Sequence, residues 1–276
     1  MRIIAEKING TRKAVGRAIA DRDAAFIQNL AKKQAAAGAA WMDVNAGTHP
    51  EREPEDLLWL IDLVQGVTDV PISLDSANPA ALKAVMPAIK KTPLINSISG
   101  EPSRLEGILP IVAEHGCDVI ALCMDDKGIP ATAEARLEVI RNVFEHTRKA
   151  GVPDEKVTVD PLAMTIATNV QAGQIIFSTM RAIKAEFPKA HIGCGLSNVS
   201  FGLPIRALIN RTFLVLALDA GMDTAIIDPN DRELQAAIHA AELVLGRDKH
   251  CLRYTRAFRA GLLEAPKEAA PAAVAK

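Results

Sequence analysis

A group of polar side chains stands at or beside the ends of short apolar runs: Asn9, Asp43, Asn45, Asp75, Asn96, Asp160, Ser197 and Asn198. The set is rich in Asp and Asn and poor in His, Lys and Cys. A metal site would draw on His, Cys or clustered carboxylates at ligand spacing. The six histidines, among them His49, His115 and His191, are scattered and form no H-x-x-x-H, so no metal is expected. Nucleophilic catalysis needs an activated Ser or Cys beside a base, and Ser197 has no evident His partner. Acid–base work by a carboxylate pair is open to Asp75 and Asp160. The set is best suited to a heterocycle with several N–H donors and ring acceptors. A carboxylate accepts from an amino group and the adjacent ring N–H together, and an amide both donates and accepts. A pterin or a purine-like ring would use such a set fully. Taken singly, each Asp or Asn could equally cap a helix or shape a turn; taken together, they point to function.

The elements that must bring these residues together follow from the pattern. Apolar runs occupy residues 3–8, 41–44, 72–74, 94–95, 119–124, 157–159, 191–196 and 224–227. Between them lie Ala- and Leu-rich segments with helical spacing, at 24–37, 54–65, 80–89, 103–114, 133–150, 171–186, 205–220 and 231–245. Gly38, Gly116, Gly151 and Gly221 stand just past helix ends, where a left-handed cap is needed. Regular alternation of strand-length runs and helices predicts an α/β fold, a (β/α)8 TIM barrel, over residues 1–263. An open doubly wound sheet also alternates, but usually with fewer strands and a Gly-rich phosphate turn. In a barrel the polar strand ends meet at the carboxyl-end mouth, where such folds bind ligands. The stretch Gly193-Cys-Gly-Leu-Ser-Asn-Val-Ser200 combines small residues, which admit a flat ligand close to the backbone, with the donors and acceptors of Ser197 and Asn198. Cys123 and Cys194 are expected to face the barrel interior as small hydrophobes. Arg206 and Arg211 fit either a solvated face or a grip on a ligand carboxylate. Residues 264–276, all Ala, Pro, Glu, Lys and Val, have no periodic apolar face and are expected to be disordered.

Composition narrows the function classes. The 276 residues are 49% apolar and 24% charged, an ordinary globular balance. A net charge of −1 and 4% aromatics favour neither nucleic acid nor an anionic membrane as partner. Four cysteines without a C-x-x-C fit a reduced, cytoplasmic protein. The N-terminus lacks a signal-peptide core, and no apolar run approaches the roughly 18 residues of a membrane span.

Several motifs carry a resemblance: Ala5-Glu-Lys-Ile-Asn-Gly10, Leu74-Asp-Ser-Ala-Asn78, Ile95-Asn-Ser97, Val159-Asp-Pro-Leu162, Gly195-Leu-Ser-Asn-Val-Ser200 and Leu208-Ile-Asn-Arg-Thr-Phe213. In order and spacing they resemble the methyltetrahydrofolate:corrinoid methyltransferases of the pterin-binding barrel superfamily, over nearly the whole chain. The resemblance implies a homodimeric barrel that holds methyltetrahydrofolate in its mouth and moves the N5 methyl group to or from a corrinoid cobalt. Asp75, Asn96 and Asp160 would then bond the pterin, and Asp43, Asn45 and Ser197 are expected to bind the substrate with them. Asn198 would serve the transition state at N5, and Arg206 would lie toward the p-aminobenzoyl-glutamate end. The sequence has no D-x-H-x-x-G stretch, so the corrinoid would come from a separate corrinoid protein or as free cobalamin. Two positions depart from the family's pattern: Phe201, where some members carry a polar residue, and Asp125, where Asn is familiar.

Two other readings compete. Dihydropteroate synthase shares the Asp and Asn pterin contacts, but normally carries a long Asn-Val-Thr-Pro-Asp loop after its first strand. Here that strand is followed by Asn9-Gly10-Thr11. A folate- or corrinoid-binding module without its own activity is the alternative of a different class.

Overall fold

Apolar residues at alternate positions put one face of each strand toward a helix and the other toward its seven fellows. Residues 1–263 are described by the computed structural model; the tail at 264–276 lies outside the described residues. Eight strands close a parallel barrel in sequential order, β1 to β8. They are β1 (Arg2–Asn9), β2 (Trp41–Asn45), β3 (Ile72–Asp75), β4 (Leu94–Ser99), β5 (Asp118–Leu122), β6 (Val157–Asp160), β7 (His191–Gly195) and β8 (Thr224–Ile227). The helices between them are α1 (Lys13–Ala20), α2 (Ala24–Ala36), α3 (Glu53–Gln65), α4 (Pro79–Val85), α5 (Pro102–Gly107), α6 (Leu109–His115), α7 (Ala133–Lys149), α8 (Ala172–Glu186), α9 (Arg206–Asp219) and α10 (Arg232–Val244), with α11 (Leu252–Arg259) after them.

The predicted barrel is therefore the observed one, and all four expected glycine caps have positive φ. The differences have local causes. The helix expected over 103–114 is two, α5 and α6, because Pro110 enters at the first turn of α6 and offers no N–H to continue α5. Pro87 likewise turns the end of the helix expected over 80–89 into a 3₁₀ turn, Met86–Ala88. The short helices α1 and α11 lie outside the helical segments that the spacing predicts.

The barrel wall separates two shells of core. Outward-facing Val44, Leu74, Val119, Val159 and Ile192 pack against the helices, with Leu60, Leu82, Phe144 and Met180 among their buried neighbours. Inside, Ile4, Leu94 and Ile120 form an apolar plug with Trp41, Leu122 and Ile226 against it. Below the plug, Arg2 donates to the Thr158 and Thr224 hydroxyls and lies over the Trp41 ring, which closes the amino end of the barrel. Cys123 and Cys194 are buried, but in the outer shell rather than the interior; Cys194 Sγ lies 3.9 Å from Met222 Sδ. Strand pleating decides this: with Gly193 and Gly195 turned inward, Cys194 between them must face out. Gly193 serves packing and not ligand approach. A Cβ there would stand 2.9 Å from Thr224 Cβ and 3.2 Å from Thr158 Cγ2.

Candidate active site

Neighbouring strands place inward-facing polar residues side by side above the plug. Asp43 of β2 lies beside Ser73 of β3, and Asp75 of β3 beside Asn96 of β4. Ser73 Oγ donates to Asp43 Oδ1 at 2.7 Å, and Asn96 Nδ2 donates to the same oxygen at 3.3 Å. Asn45 Nδ2 donates to Asp75 Oδ2 at 2.9 Å. Each asparagine thus spends an N–H on an aspartate and keeps its carbonyl oxygen for something else. Across the mouth, the Leu162 N–H donates to Asp160 Oδ1 at 2.7 Å.

Asp43, Asn45, Asp75 and Asn96 form one row of hydrogen-bonded pairs and Asp160 stands across the mouth on β6, while Asn9 and Asp125 have local duties. Asn9 Oδ1 caps its own turn, accepting from Thr11 N at 3.0 Å and Thr11 Oγ1 at 2.6 Å. Asp125 accepts from Lys127 N at 2.9 Å. Asp75 and Asp160 share no hydrogen bond among the described residues, and the carboxylates whose charge acts on Asp43 are Asp75 and, more weakly, Glu6. Glu6 and Lys7, which lie inside the first apolar run, also reach the mouth: the Glu6 charge acts on Asp43, and Lys7 meets Asp228 just past β8. The β1 register slips between Ala5 and Ile8, so consecutive residues are both half-buried. Glu6 pairs with Arg12 at 2.6 Å and Lys7 with Asp228 at 2.9 Å. Two adjacent charges inside an apolar run were the available signal, but strict alternation gives no place to both.

After β7 the chain makes a 3₁₀ turn, Leu196–Ser200. Asn198 stands there exposed, and among the described residues nothing bonds its side-chain amide. Its Nδ2 lies 3.3 Å from where a Cβ on Gly195 would be, so the glycine makes room for the amide. Arg206 does not reach into the mouth unaccompanied. Its Nη2 donates to the Ser197 carbonyl at 2.5 Å and its Nε to Ser200 Oγ at 3.0 Å. Arg211 pairs with Glu233 at 2.7 Å. Phe201 is 67% exposed on the rim, and its carbonyl accepts from Thr165 Oγ1 at 2.6 Å. No three His, Cys, Asp or Glu side chains among the described residues are grouped to hold a metal ion.

The carboxyls of the mouth hold protons unusually well. Burial pushes Asp43 up to about 7, with the charge of Asp75 adding to it. Burial also pushes Asp160 up to about 7, against the pull of the Leu162 and Gly195 N–H groups. Asp75 is raised by burial as well. In the unfolded chain such a carboxyl titrates near 3.9. The fold therefore binds the proton more tightly. The stability this contributes is complete below about pH 4 and is lost as pH rises through about 7. Asp43→Asn keeps an oxygen for Ser73 and Asn96 while removing the buried charge. Its Tm should exceed that of the wild type by about 3 °C or more at pH 8, with the gap shrinking toward pH 4. Thermal melts across that range check this, and a gap independent of pH would count against it.

A closed parallel barrel whose upper mouth gathers three aspartates, two asparagines and an unengaged amide defines an enzyme class that grips a polar heterocycle. The chain belongs to the pterin binding enzyme family, whose profile matches residues 6–228. It is 40% identical over 263 residues to the methylcorrinoid:tetrahydrofolate methyltransferase of Eubacterium limosum, covering 95% of this chain and 97% of that one. It is 30% identical over 238 residues to the methionine synthase of Mycobacterium tuberculosis, 82% of this chain but only a fifth of that much longer protein. The folate–corrinoid methyltransferase resemblance of the motifs is thus borne out. The dihydropteroate synthase of Yersinia pestis superposes with a TM-score of 0.67 at 15% identity, over 89% of this chain and 94% of that one. That likeness is one of fold.

Proposed function

We propose that the protein moves a methyl group between N5 of tetrahydrofolate and the cobalt of a corrinoid, the corrinoid being a second substrate. The observation that carries this reading is the free amide of Asn198 standing over Gly195 at the end of β7, across the barrel mouth from the row of acceptors on β2, β3 and β4. The 40% identity to a methylcorrinoid:tetrahydrofolate methyltransferase supports it. In this reading Asp75, Asn96 and Asp160 hold the pterin by its N–H groups and ring acceptors. Asp43 and Asn45 act one layer back, aiming Asn96 and Asp75, and Ser197 lies in the turn after β7, next to Asn198.

In the direction named for that relative, N5 attacks the methyl carbon in line. The cobalt–carbon electron pair stays on cobalt, which passes from the methylated trivalent state to the monovalent one, and N5 gives up its proton. In the reverse direction cobalt(I) supplies the pair that forms the cobalt–carbon bond. The carbon–nitrogen pair then remains on N5, which takes a proton. A tertiary amine leaves poorly until N5 gains positive character. A neutral amide can accept a hydrogen bond from a protonated N5 without locking it in an ion pair, so its help is concentrated at the transition state. The flat corrinoid would approach over a rim of exposed apolar side chains, Met164, Phe201 and Ile205. It would be brought by a corrinoid protein or arrive as free cobalamin. A cytoplasmic homodimer belongs to the same reading. α9 presents an outward apolar stripe of Leu208, Val215 and Leu216, and no helix among the described residues is long and apolar enough to cross a membrane.

The test mixes the purified protein anaerobically with methyltetrahydrofolate and cob(I)alamin, and in reverse with methylcob(III)alamin and tetrahydrofolate. The cobalt absorbance is followed. Transfer in either direction is expected. Folate binding without transfer to free cobalamin or to a corrinoid protein would leave a binding module. Absence of both binding and transfer would send the reading back to the synthase assay.

A further inference from the structure

We infer that Arg206 is a positioning residue: it sets the peptide plane that aims the Asn198 amide, and it does not hold the p-aminobenzoyl-glutamate tail of the folate. The inference deepens the methyl-transfer reading and, for its kinetic part, rests on it.

With no bond to its side chain among the described residues, the direction of the Asn198 amide is left to its backbone and to the bare surface of Gly195. A peptide unit is planar, so the Ser197 carbonyl and the Asn198 N–H turn as one body. That carbonyl is held by two donors, Arg206 Nη2 at 2.5 Å and Ser200 Oγ at 3.2 Å. Ser200 is buried and accepts from Arg206 Nε at 3.0 Å. The planar guanidinium therefore spans both groups with one rigid fork, which a single ammonium cannot reproduce. On the other side of Asn198, its own carbonyl accepts from Phe201 N at 3.2 Å. The Val199 carbonyl accepts from Ile166 N at 3.0 Å, tying the turn to the loop after β6. The amide is thus free while both peptide planes around it are fixed, as preorganised electrostatics require.

The start of α9 is an independent observation. Ile205, a β-branched residue, sits in the left-handed region at φ 50° with its side chain 76% exposed. Such a conformation is disfavoured for this residue type and persists only where the surroundings impose it. The kink puts Arg206 at the first position of α9, with its fork over the turn and its guanidinium carbon 5.9 Å from the Phe201 ring centroid. Among the described residues Arg206 has no carboxylate partner within 4.0 Å, so its recorded partners are the two groups of the turn.

The test compares Arg206→Gln, Arg206→Lys and Ser200→Ala, alone and combined with Asn198→Ala. The substrates are methyltetrahydrofolate and a methyltetrahydropterin that lacks the p-aminobenzoyl-glutamate tail. Arg206→Gln should slow single-turnover transfer about tenfold, the scale of one charge-assisted hydrogen bond, with the folate Kd within about threefold. The same factor is expected with the tail-less pterin. Arg206→Lys should recover part of the rate, and Ser200→Ala should lose less than Arg206→Gln. In the Asn198→Ala background the effect of Arg206→Gln should shrink to within about twofold, because residues acting through one group are not additive. A loss that appears as weaker binding of intact folate and vanishes with the tail-less pterin would overturn the inference, as would full additivity with Asn198→Ala.

The Asn198 side-chain amide signal, assigned by its absence in Asn198→Ala, gives a readout in the ligand-free protein. It should shift or broaden in Arg206→Gln, and an unchanged signal would overturn the inference. Should the wild type transfer no methyl group to any corrinoid, the reaction falls and this signal alone decides the positioning.

Discussion

Asn198→Ala should lower the single-turnover rate of methyl transfer about a hundredfold, within the range seen when one preorganised transition-state partner is removed. The Kd for methyltetrahydrofolate should stay within about threefold. The split follows from when the amide is used. Before reaction N5 is a weakly basic amine with little to offer a hydrogen-bond acceptor; when the carbon–nitrogen bond breaks, N5 carries a proton. An interaction made only then raises the rate without tightening binding. The fold should tolerate the change. Asn198 is exposed and bonds nothing through its side chain among the described residues, so stability should move by no more than about 0.5 kcal/mol. Rapid-mixing absorbance at cobalt and equilibrium folate binding measure the two quantities. Equal losses in both would remove Asn198 from the chemistry and make it a binding residue.

Asp75→Asn should have the largest effect on binding. Asn45 Nδ2 donates to Asp75 Oδ2, so an amide at 75 would turn its oxygen toward Asn45 and its NH₂ into the mouth. The ligand's N–H donors would then meet a donor. Loss of a charge-assisted pair, with the partner left facing the wrong way, is worth about 3 kcal/mol, or roughly a hundredfold in Kd. The same substitution removes a charge that burial disfavours. A carboxyl whose folded value is raised loses its stabilising contribution as pH increases, and the variant has no such loss. Ligand-free Asp75→Asn should therefore melt higher than the wild type at pH 8 while binding folate worse. Calorimetry on the same preparation reads both. A variant that melts lower at pH 8 would mean that the carboxylate is stabilised by a partner the present geometry does not include.

These two residues differ in how much of their placement the sequence discloses. Asp75 ends an apolar run of three residues, and a strand of that length in a barrel delivers its last residue to the mouth. Asn198 follows a strand too, but its exposure, its seat on Gly195 and the pinned planes around it depend on Arg206, Ser200 and Ile166, which lie two to thirty-two residues away in the chain. Arg206 shows the limit most plainly. Its type and neighbourhood suit a ligand carboxylate as well as a carbonyl and a hydroxyl of its own fold, and only the folded turn shows which acceptors it has met.

By itself the sequence determined the barrel, the order of its strands and helices, the glycines that end its helices and the family. These follow from local apolar periodicity, from the steric demands of a left-handed cap and from motifs read in order. The tertiary structure alone decided which strand-end residues share a proton-holding cluster and which merely close a turn. It also decided which way Cys194 faces, and that Glu6 and Lys7 both reach the mouth. The reason is physical. Hydrogen-bond partners and burial are properties of pairs brought together by closure of the barrel. A residue's type fixes how many bonds it can make, but not with whom.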